Sequence, residues 1–364
     1  MAGSTIGTIF TVSTWGESHG KGVGAVVDGC PAGLPLSEPD IQKFLDRRKP
    51  GQNRYTTARK ESDEVEILSG VFEGRTTGTP ILLMVKNTDQ RSRDYSEIAS
   101  YYRPGHADYT FDKKFGFRDY RGGGRSSGRE TIGRVAAGAI ASKILAELGV
   151  TLCTYTKSIG PVAASEFDPS HIEKDPLYMA DGHASEKAQA YLQECMAKKD
   201  SAGGVIECIV KGLPAGVGNP VFDKLDALLG KALFSIGAVK AVEIGDGTAV
   251  TLASGASNND SFRCSQEGQI TKATNHSGGI LGGISDGSDL ILRAHIKPTP
   301  SISSIQDTVN QDGENIQISI KGRHDPVIVP RAVVVVEAMT ALTLADALLT
   351  GMGARMENLI KVWK

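Results

Sequence analysis

Three consecutive glycines set among arginines, in the run Arg121-Gly122-Gly123-Gly124-Arg125-Ser126-Ser127-Gly128-Arg129-Glu130, lead straight into a long apolar segment. That junction constrains the fold more than any other stretch. Glycines allow a backbone to turn through conformations closed to other residues and to approach a ligand closely. Ser127 and Glu130 have the spacing of a capping box, and Ile132, Val135, Ala136, Ala139, Ile140, Ile144, Leu145 and Leu148 then recur on one face until Gly149. The pattern predicts a loop feeding a capped helix. A helix start offers unpaired N–H groups and the positive end of a dipole, and the arginines add charge, so the junction suits phosphate or carboxylate. It is not a Walker loop, because no Gly-Lys-Ser/Thr follows. The plainer alternative is a glycine-rich hairpin with solvated arginines.

Charge is distributed unevenly. The 364 residues carry 40 Lys plus Arg against 42 Asp plus Glu, a net charge of -2, yet Lys113 to Arg134 holds seven basic and two acidic residues. A second basic group, Arg47, Arg48, Lys49, Arg54, Arg59 and Lys60, follows a helix expected from about Pro39 to Arg47. Local basic surface in a neutral chain indicates a small anionic ligand. The rival reading, an RNA binder, lacks a stacking platform because aromatic residues make up only 6%, so no nucleic-acid partner is expected. Apolar runs such as Val333 to Val336 are shorter than the roughly 20 residues of a membrane span, and no basic start precedes an apolar leader, so no membrane association and a cytoplasmic location are expected. Five scattered cysteines (Cys30, Cys153, Cys195, Cys208, Cys264) without a CxxC pair predict free thiols and no bound metal.

The chain reads as mixed α and β. Strands are expected at Gly22 to Val27, Val65 to Leu68, Pro80 to Lys86, Val205 to Lys211, Leu290 to Ile296 and Ile316 to Ile320, and their alternation favours antiparallel sheets. Further helices are expected at Ser185 to Lys199, after Asn219-Pro220, and from Arg331 to Leu349. Two pairs of segments are alike in order. Gly29-Cys30-Pro31-Ala32-Gly33 matches Gly212-Leu213-Pro214-Ala215-Gly216, and Ser69-Gly70 through Leu83 matches Ser277-Gly278 through Leu292. They suggest an internal duplication with halves of about 1–200 and 201–364 in one domain.

Three histidine loops complete the candidate site. His19 lies in Gly16-Glu17-Ser18-His19-Gly20 and His106 in Arg103-Pro104-Gly105-His106-Ala107-Asp108, where Arg103 and Asp108 could set its protonation state. Asp325 follows Gly322-Arg323-His324 and precedes Pro326. Alone, the His19 and Asp325 motifs read better as ordinary turns, and the His106 motif reads equally well as one. Lys297-Pro298-Thr299-Pro300-Ser301 adds a cation and two hydroxyls on a stiffened backbone.

Together and in this order these motifs, with Arg47 to Gln52, resemble the chorismate synthase family over nearly the whole chain. Departures such as Lys49, Gly105, Gly128 and Val327 remove no side chain assigned to chemistry. The resemblance implies an α+β fold, a β-α-β sandwich with antiparallel sheets around central helices and an internal pseudo-two-fold repeat, assembled as a homotetramer. It implies an anti 1,4-elimination of phosphate from 5-enolpyruvylshikimate 3-phosphate, requiring reduced FMN (FMNH2) without net redox change. His19, His106 and Asp325 would be catalytic. Arg48, Arg54, Arg129 and Arg134 would bind substrate, while Arg125, Ser126, Ser127, Gly237, Ala238, Gly282, Lys297, Pro298, Thr299, Pro300, Ser301 and Arg323 would line the flavin. No GxGxxG follows a strand, so NADPH is expected only indirectly, to keep the flavin reduced.

Overall fold

The computed structural model describes residues 3–56, 61–88, 97–266, 268, 270–320 and 325–364. Two five-stranded antiparallel sheets enclose a layer of helices. In the first sheet the order is Thr5–Ile6, Thr11–Gly16, Gly22–Asp28, Ile81–Lys86, Val65–Ile67; in the second it is Val239–Ile244, Leu290–Ile296, Gly204–Lys211, Thr151–Ile159, Val162–Ala163. The expected α+β class with antiparallel sheets around central helices is what the chain adopts. Strands alternate as expected: Ile81, Leu83 and Val85 point inward and are buried, as are Leu290, Leu292, Ala294 and Ile296.

Two helices fill the middle. Thr131–Glu147 packs on Gly22–Asp28, Val329–Gly351 packs on Thr151–Ile159 and Gly204–Lys211, and the two helices pack on each other. The first carries glycines where its neighbours come closest: a Cβ at Gly133 would approach the Gly24 carbonyl and one at Gly138 would overlap Ala338. Those contacts lie on different faces, so the helix is covered on more than the single apolar face that its periodicity indicates. The second helix is long and apolar enough to cross a membrane, unlike the short runs expected from the sequence. It is nevertheless a core helix. Its Glu337 accepts two bonds from Arg47, at 2.9 and 2.8 Å, and its Val333 to Val336 are buried.

The sheets share one plan. In each, an antiparallel pair is followed by a third strand, and a fourth then inserts between the second and third: Thr11–Gly16, Gly22–Asp28, Val65–Ile67, Ile81–Lys86 and, with the helix Gly182–Ala197 inside its first pair, Thr151–Ile159, Gly204–Lys211, Val239–Ile244, Leu290–Ile296. The matching turns are closed by matching bonds. Thr76 Oγ1 donates to Pro31 O and Ser285 Oγ to Pro214 O, both at 2.6 Å, and Gly33 and Gly216 each donate at 2.8 Å, to Thr76 O and Ser285 O.

Several details differ from expectation. The helix after Pro220 begins only at Leu225, with Lys224 at the N-cap. Ser127 caps a short 3-10 turn, Gly128–Glu130, through the Arg129 N–H, while Glu130 bonds Thr14 and Arg134 and so closes no capping box. The strands Thr151–Ile159 and Val239–Ile244 and the helix Asp108–Phe115 were not foreseen. All five cysteines are free, and burial pushes Cys30 up to about 11 and Cys208 to about 12, so neither is a thiolate at neutral pH.

Candidate active site

The glycine run is a left-handed corner, with Gly122, Gly123 and Gly124 at φ of 63, 82 and 51°. Only glycine adopts three such conformations in succession without strain. At Gly122 and Gly123 the corner also has little room for side chains. A Cβ on Gly122 would overlap the imidazole of His19, and one on Gly123 would stand 3.3 Å from His106 Cε1 and 3.6 Å from Nε2. Two histidines 87 positions apart in the chain therefore flank adjacent glycines. His19 is buried, with Ser18 Oγ at 3.1 Å from its Nδ1.

His106 is oriented by its own turn. Its Nδ1 lies 3.0 Å from Asp108 Oδ1, and Asp108 accepts two further bonds from the Arg103 guanidinium at 2.8 and 2.7 Å. Burial opposes ionisation of Asp108, but the bonds from Arg103 and His106 outweigh it and hold its carboxyl well below the usual carboxylate range. An ionised Asp108 can accept a hydrogen bond from Nδ1–H, Arg103 Nη2 also lies 3.0 Å from Nδ1, and Nε2 is left toward the glycine corner. The turn is braced on its far side: Lys297 Nζ donates to Gly105 O at 3.0 Å, a Cβ on Gly105 would lie 3.2 Å from Pro300, and Lys297 N donates to Ala238 O at 2.9 Å. Ser126, Lys297 and Pro300 thus join the histidine corner, and Ala238, next to Gly237, holds the backbone of Lys297. Burial and nearby Lys240 lower the Lys297 pKa. Thr299 Oγ1 is buried with no hydrogen-bond partner among the described residues.

A second cluster adjoins the first through Asn87. Its amide donates to Glu17 O and Gly20 O, both at 2.9 Å, and its oxygen accepts from Arg129 Nε at 2.9 Å. Arg129 pairs with Glu61 and with Asp63, and Arg48 donates to Asp63 at 2.6 Å. Arg48 is the last residue of the helix Glu38–Arg48, because Pro50 disfavours helical backbone at Lys49. Full burial and the neighbouring guanidiniums of Arg331 and Arg129 pull its pKa down to about 10, against the pull of Asp63. Arg331 donates to Arg48 O at 3.1 Å and to Asp325 at 2.6 Å. Asp325 and Ser301 line a cavity of about 210 Å³ with Ser201, Asp200 and Lys199.

Other candidates stand apart. Arg54 lies over Tyr55 and reaches Gln189; Arg134 bonds Glu130 and Ser235. Arg125 is a strut from the loop to Thr14 and Gly16. Gly282 sits in the hairpin Ile280–Ser285 at the start of the strand Leu290–Ile296, whereas Lys297 follows its end, roughly 20 Å away at the rise of an extended strand. Arg323 and His324, like Arg59 and Lys60, fall outside the described residues. The sequence reading missed Asn87, Glu61 and Asp63. An isolated Asn or Asp between strands carries no pattern, although Glu61 and Asp63 do lie beside a basic run.

A family model described as chorismate synthase matches residues 10–349. Curated relatives called chorismate synthase include one from Lachnoclostridium phytofermentans, 65% identical over 100% of both chains. Another, from Chloroflexus aurantiacus, is 53% identical over 98% of each. A crystal structure of chorismate synthase matches with a TM-score of 0.77 and 32% identity, covering 98% of this chain and 96% of that one.

Proposed function

Since the chain belongs to the chorismate synthase family and is a lyase of the shikimate route to aromatic amino acids, we propose that it eliminates phosphate from 5-enolpyruvylshikimate 3-phosphate in an anti 1,4 sense, giving chorismate, with reduced FMN required. The observation that carries this reading is the convergence of His19, His106 and the Lys297–Ser301 loop on one glycine corner.

The residues present fit an anionic flavin. Lys297 supplies a cation, Thr299 a buried hydroxyl without a partner among the described residues, and the Gly122–Gly124 corner a backbone surface bare of side chains. Ser126, Ser127, Gly237, Ala238, Lys297 to Ser301 and Arg125 would hold it, with Gly282 and Arg323 as the remaining proposed contacts. When bound, reduced FMN supplies an electron-rich ring that can lend an electron to an allylic phosphate ester and recover it, which no side chain can do. The protein's part is orientation and proton handling. With Nδ1–H donating to Asp108 and Arg103 Nη2 held on the same carboxylate, Nε2, when protonated, is the nitrogen that delivers a proton to the departing phosphate. His19 steadies the reduced cofactor, and Asp325, held by Arg331, accepts the proton released. Arg48 and Arg129 seat the substrate's anionic groups, with Arg54 and Arg134 proposed at its periphery.

Purified protein, dithionite-reduced FMN and substrate are mixed anaerobically while chorismate absorbance and inorganic phosphate are followed together. Equal release of both, dependent on reduced flavin, is expected; tight flavin binding without product refutes the reaction. NADPH enters only to keep the flavin reduced, so adding it without a separate reductase should not sustain turnover. A homotetramer in the cytoplasm is the proposed assembly and location, and sedimentation velocity of the purified chain tests the former. The common strand plan and the matched Thr76 and Ser285 turns support an internal repeat whose second half starts near residue 150, where the second sheet begins, and not at the expected 201.

A further inference from the structure

Asp63 is not part of the chemistry described above, yet it has the least ordinary position in the arginine cluster. Its carboxylate is fully buried, with Oδ2 at 2.6 Å from Arg48 Nη2 and Oδ1 at 3.0 Å from Arg129 Nη1. Its backbone has φ of +49° in a non-glycine residue. Aspartate tolerates that conformation better than most residues, but still at a cost. Gln42 fixes the bend from outside, donating to Asp63 O at 3.3 Å and accepting from Val65 N at 3.1 Å. The bend turns one carboxylate between two guanidiniums that would otherwise repel. Glu61 pairs with Arg129, whereas Asp63 engages both arginines.

The donor arrangement shows what this accomplishes. Arg129 Nε is used by Asn87 and Nη1 by Asp63, while Nη2 is buried with no hydrogen-bond partner among the described residues. A buried guanidinium donor without a partner is costly unless a ligand completes it. We propose that Asp63 is a positioning residue: it ties Arg48 to Arg129 so that Arg129 presents Nη2 to an anionic group of the phosphorylated substrate. The inference rests on the reading that Arg129 seats that substrate.

Two variants separate charge from backbone. Asp63→Asn keeps the tolerance for left-handed backbone and one acceptor oxygen but removes the charge; Asp63→Gly relieves the backbone and removes the carboxylate altogether. Binding of 5-enolpyruvylshikimate 3-phosphate and of FMN is measured separately by calorimetry, with turnover alongside. Both variants are expected to weaken substrate binding about tenfold or more, as for loss of a charged hydrogen bond, with FMN affinity within about twofold of the parent. Substrate affinity unchanged in either folded variant overturns the proposal. So does parallel loss of both ligands, or failure of both variants to fold, since each marks a general structural role. A parent protein that neither binds nor converts the substrate refutes the functional reading instead.

Discussion

Asp108→Asn tests the core of the site. Asparagine has the same shape, but one acceptor oxygen becomes an NH2 that cannot accept from His106 Nδ1 or from Arg103. The remaining oxygen, kept on Arg103 N and Nε at 3.1 and 2.8 Å, leaves the NH2 facing Arg103 Nη2 and His106 Nδ1, so the two-point bond is broken in a pair whose side chains are 5% and 4% exposed. Stranding that buried guanidinium costs about 3–5 kcal/mol of stability. Losing the Nδ1 anchor frees the ring to adopt the other tautomer, and turnover should fall by roughly 10²–10⁴-fold. The effects are separable. Adding Arg103→Met removes the stranded charge, so the double variant should recover most of the stability while turnover stays low. Because the folded pKa of Asp108 lies below its ordinary value, its contribution is complete above about pH 4 and is lost as pH falls further, so the stability gap between parent and Asp108→Asn should narrow there. Anaerobic phosphate release gives kcat, and chemical denaturation gives the stability gap. A folded Asp108→Asn protein with kcat within threefold of the parent would refute the orienting role.

His106→Ala should reduce turnover far more than flavin affinity; equal losses in anaerobic turnover and in flavin titration would remove its role as proton donor. Gly122→Ala sets a Cβ against the His19 ring at a backbone φ of +63°, and should cost both Tm and flavin affinity; a variant matching the parent in both would show that the corner has slack. Gly138→Ala drives a methyl into Ala338 between the central helices, and should destabilise by about 1–3 kcal/mol in urea unfolding, with kinetics unchanged wherever the variant is folded.

What was legible in the chain was local. Strand alternation at Leu290–Ile296 was read to the residue. So was the turn at Pro31, because proline and glycine act through backbone sterics alone. Thr151–Ile159 was missed because its inward side is mostly polar, with Thr154, Thr156 and Ser158, and two of these are satisfied by neighbours distant in sequence: Thr156 Oγ1 bonds Leu177 O and Thr154 Oγ1 bonds Cys208 Sγ. The helix Val329–Gly351 shows the reverse case, in which apolarity is legible but its burial between two sheets is a property of the fold. At the site, the histidines and the lysine loop announced themselves by flanking glycine and proline. Asn87 and Asp63 did not, since their importance lies in what they bridge.

The basic character of the segment Lys113 to Arg134 also changes meaning in three dimensions. Its surplus suggested a positive face, yet Arg118 is paired with Asp112, Arg121 with Asp119, Arg129 with Glu61 and Asp63, and Arg134 with Glu130. Partners such as Glu61 and Asp63 come from outside the segment, so counting charge along the sequence overstates the field. What remains for an anion is a small set of aimed donors, Arg129 Nη2 foremost, held inside the protein where counterions do not reach. Charges in that setting are screened far less than exposed ones separated by more than about 8 Å at physiological salt. Raising KCl tenfold from low ionic strength should therefore shift the substrate KM by no more than about threefold, while a diffuse basic face would give a far steeper dependence. A steep loss of affinity with salt would mean that substrate is held by the exposed lysines Lys113 and Lys114, and that the buried arginines are structural.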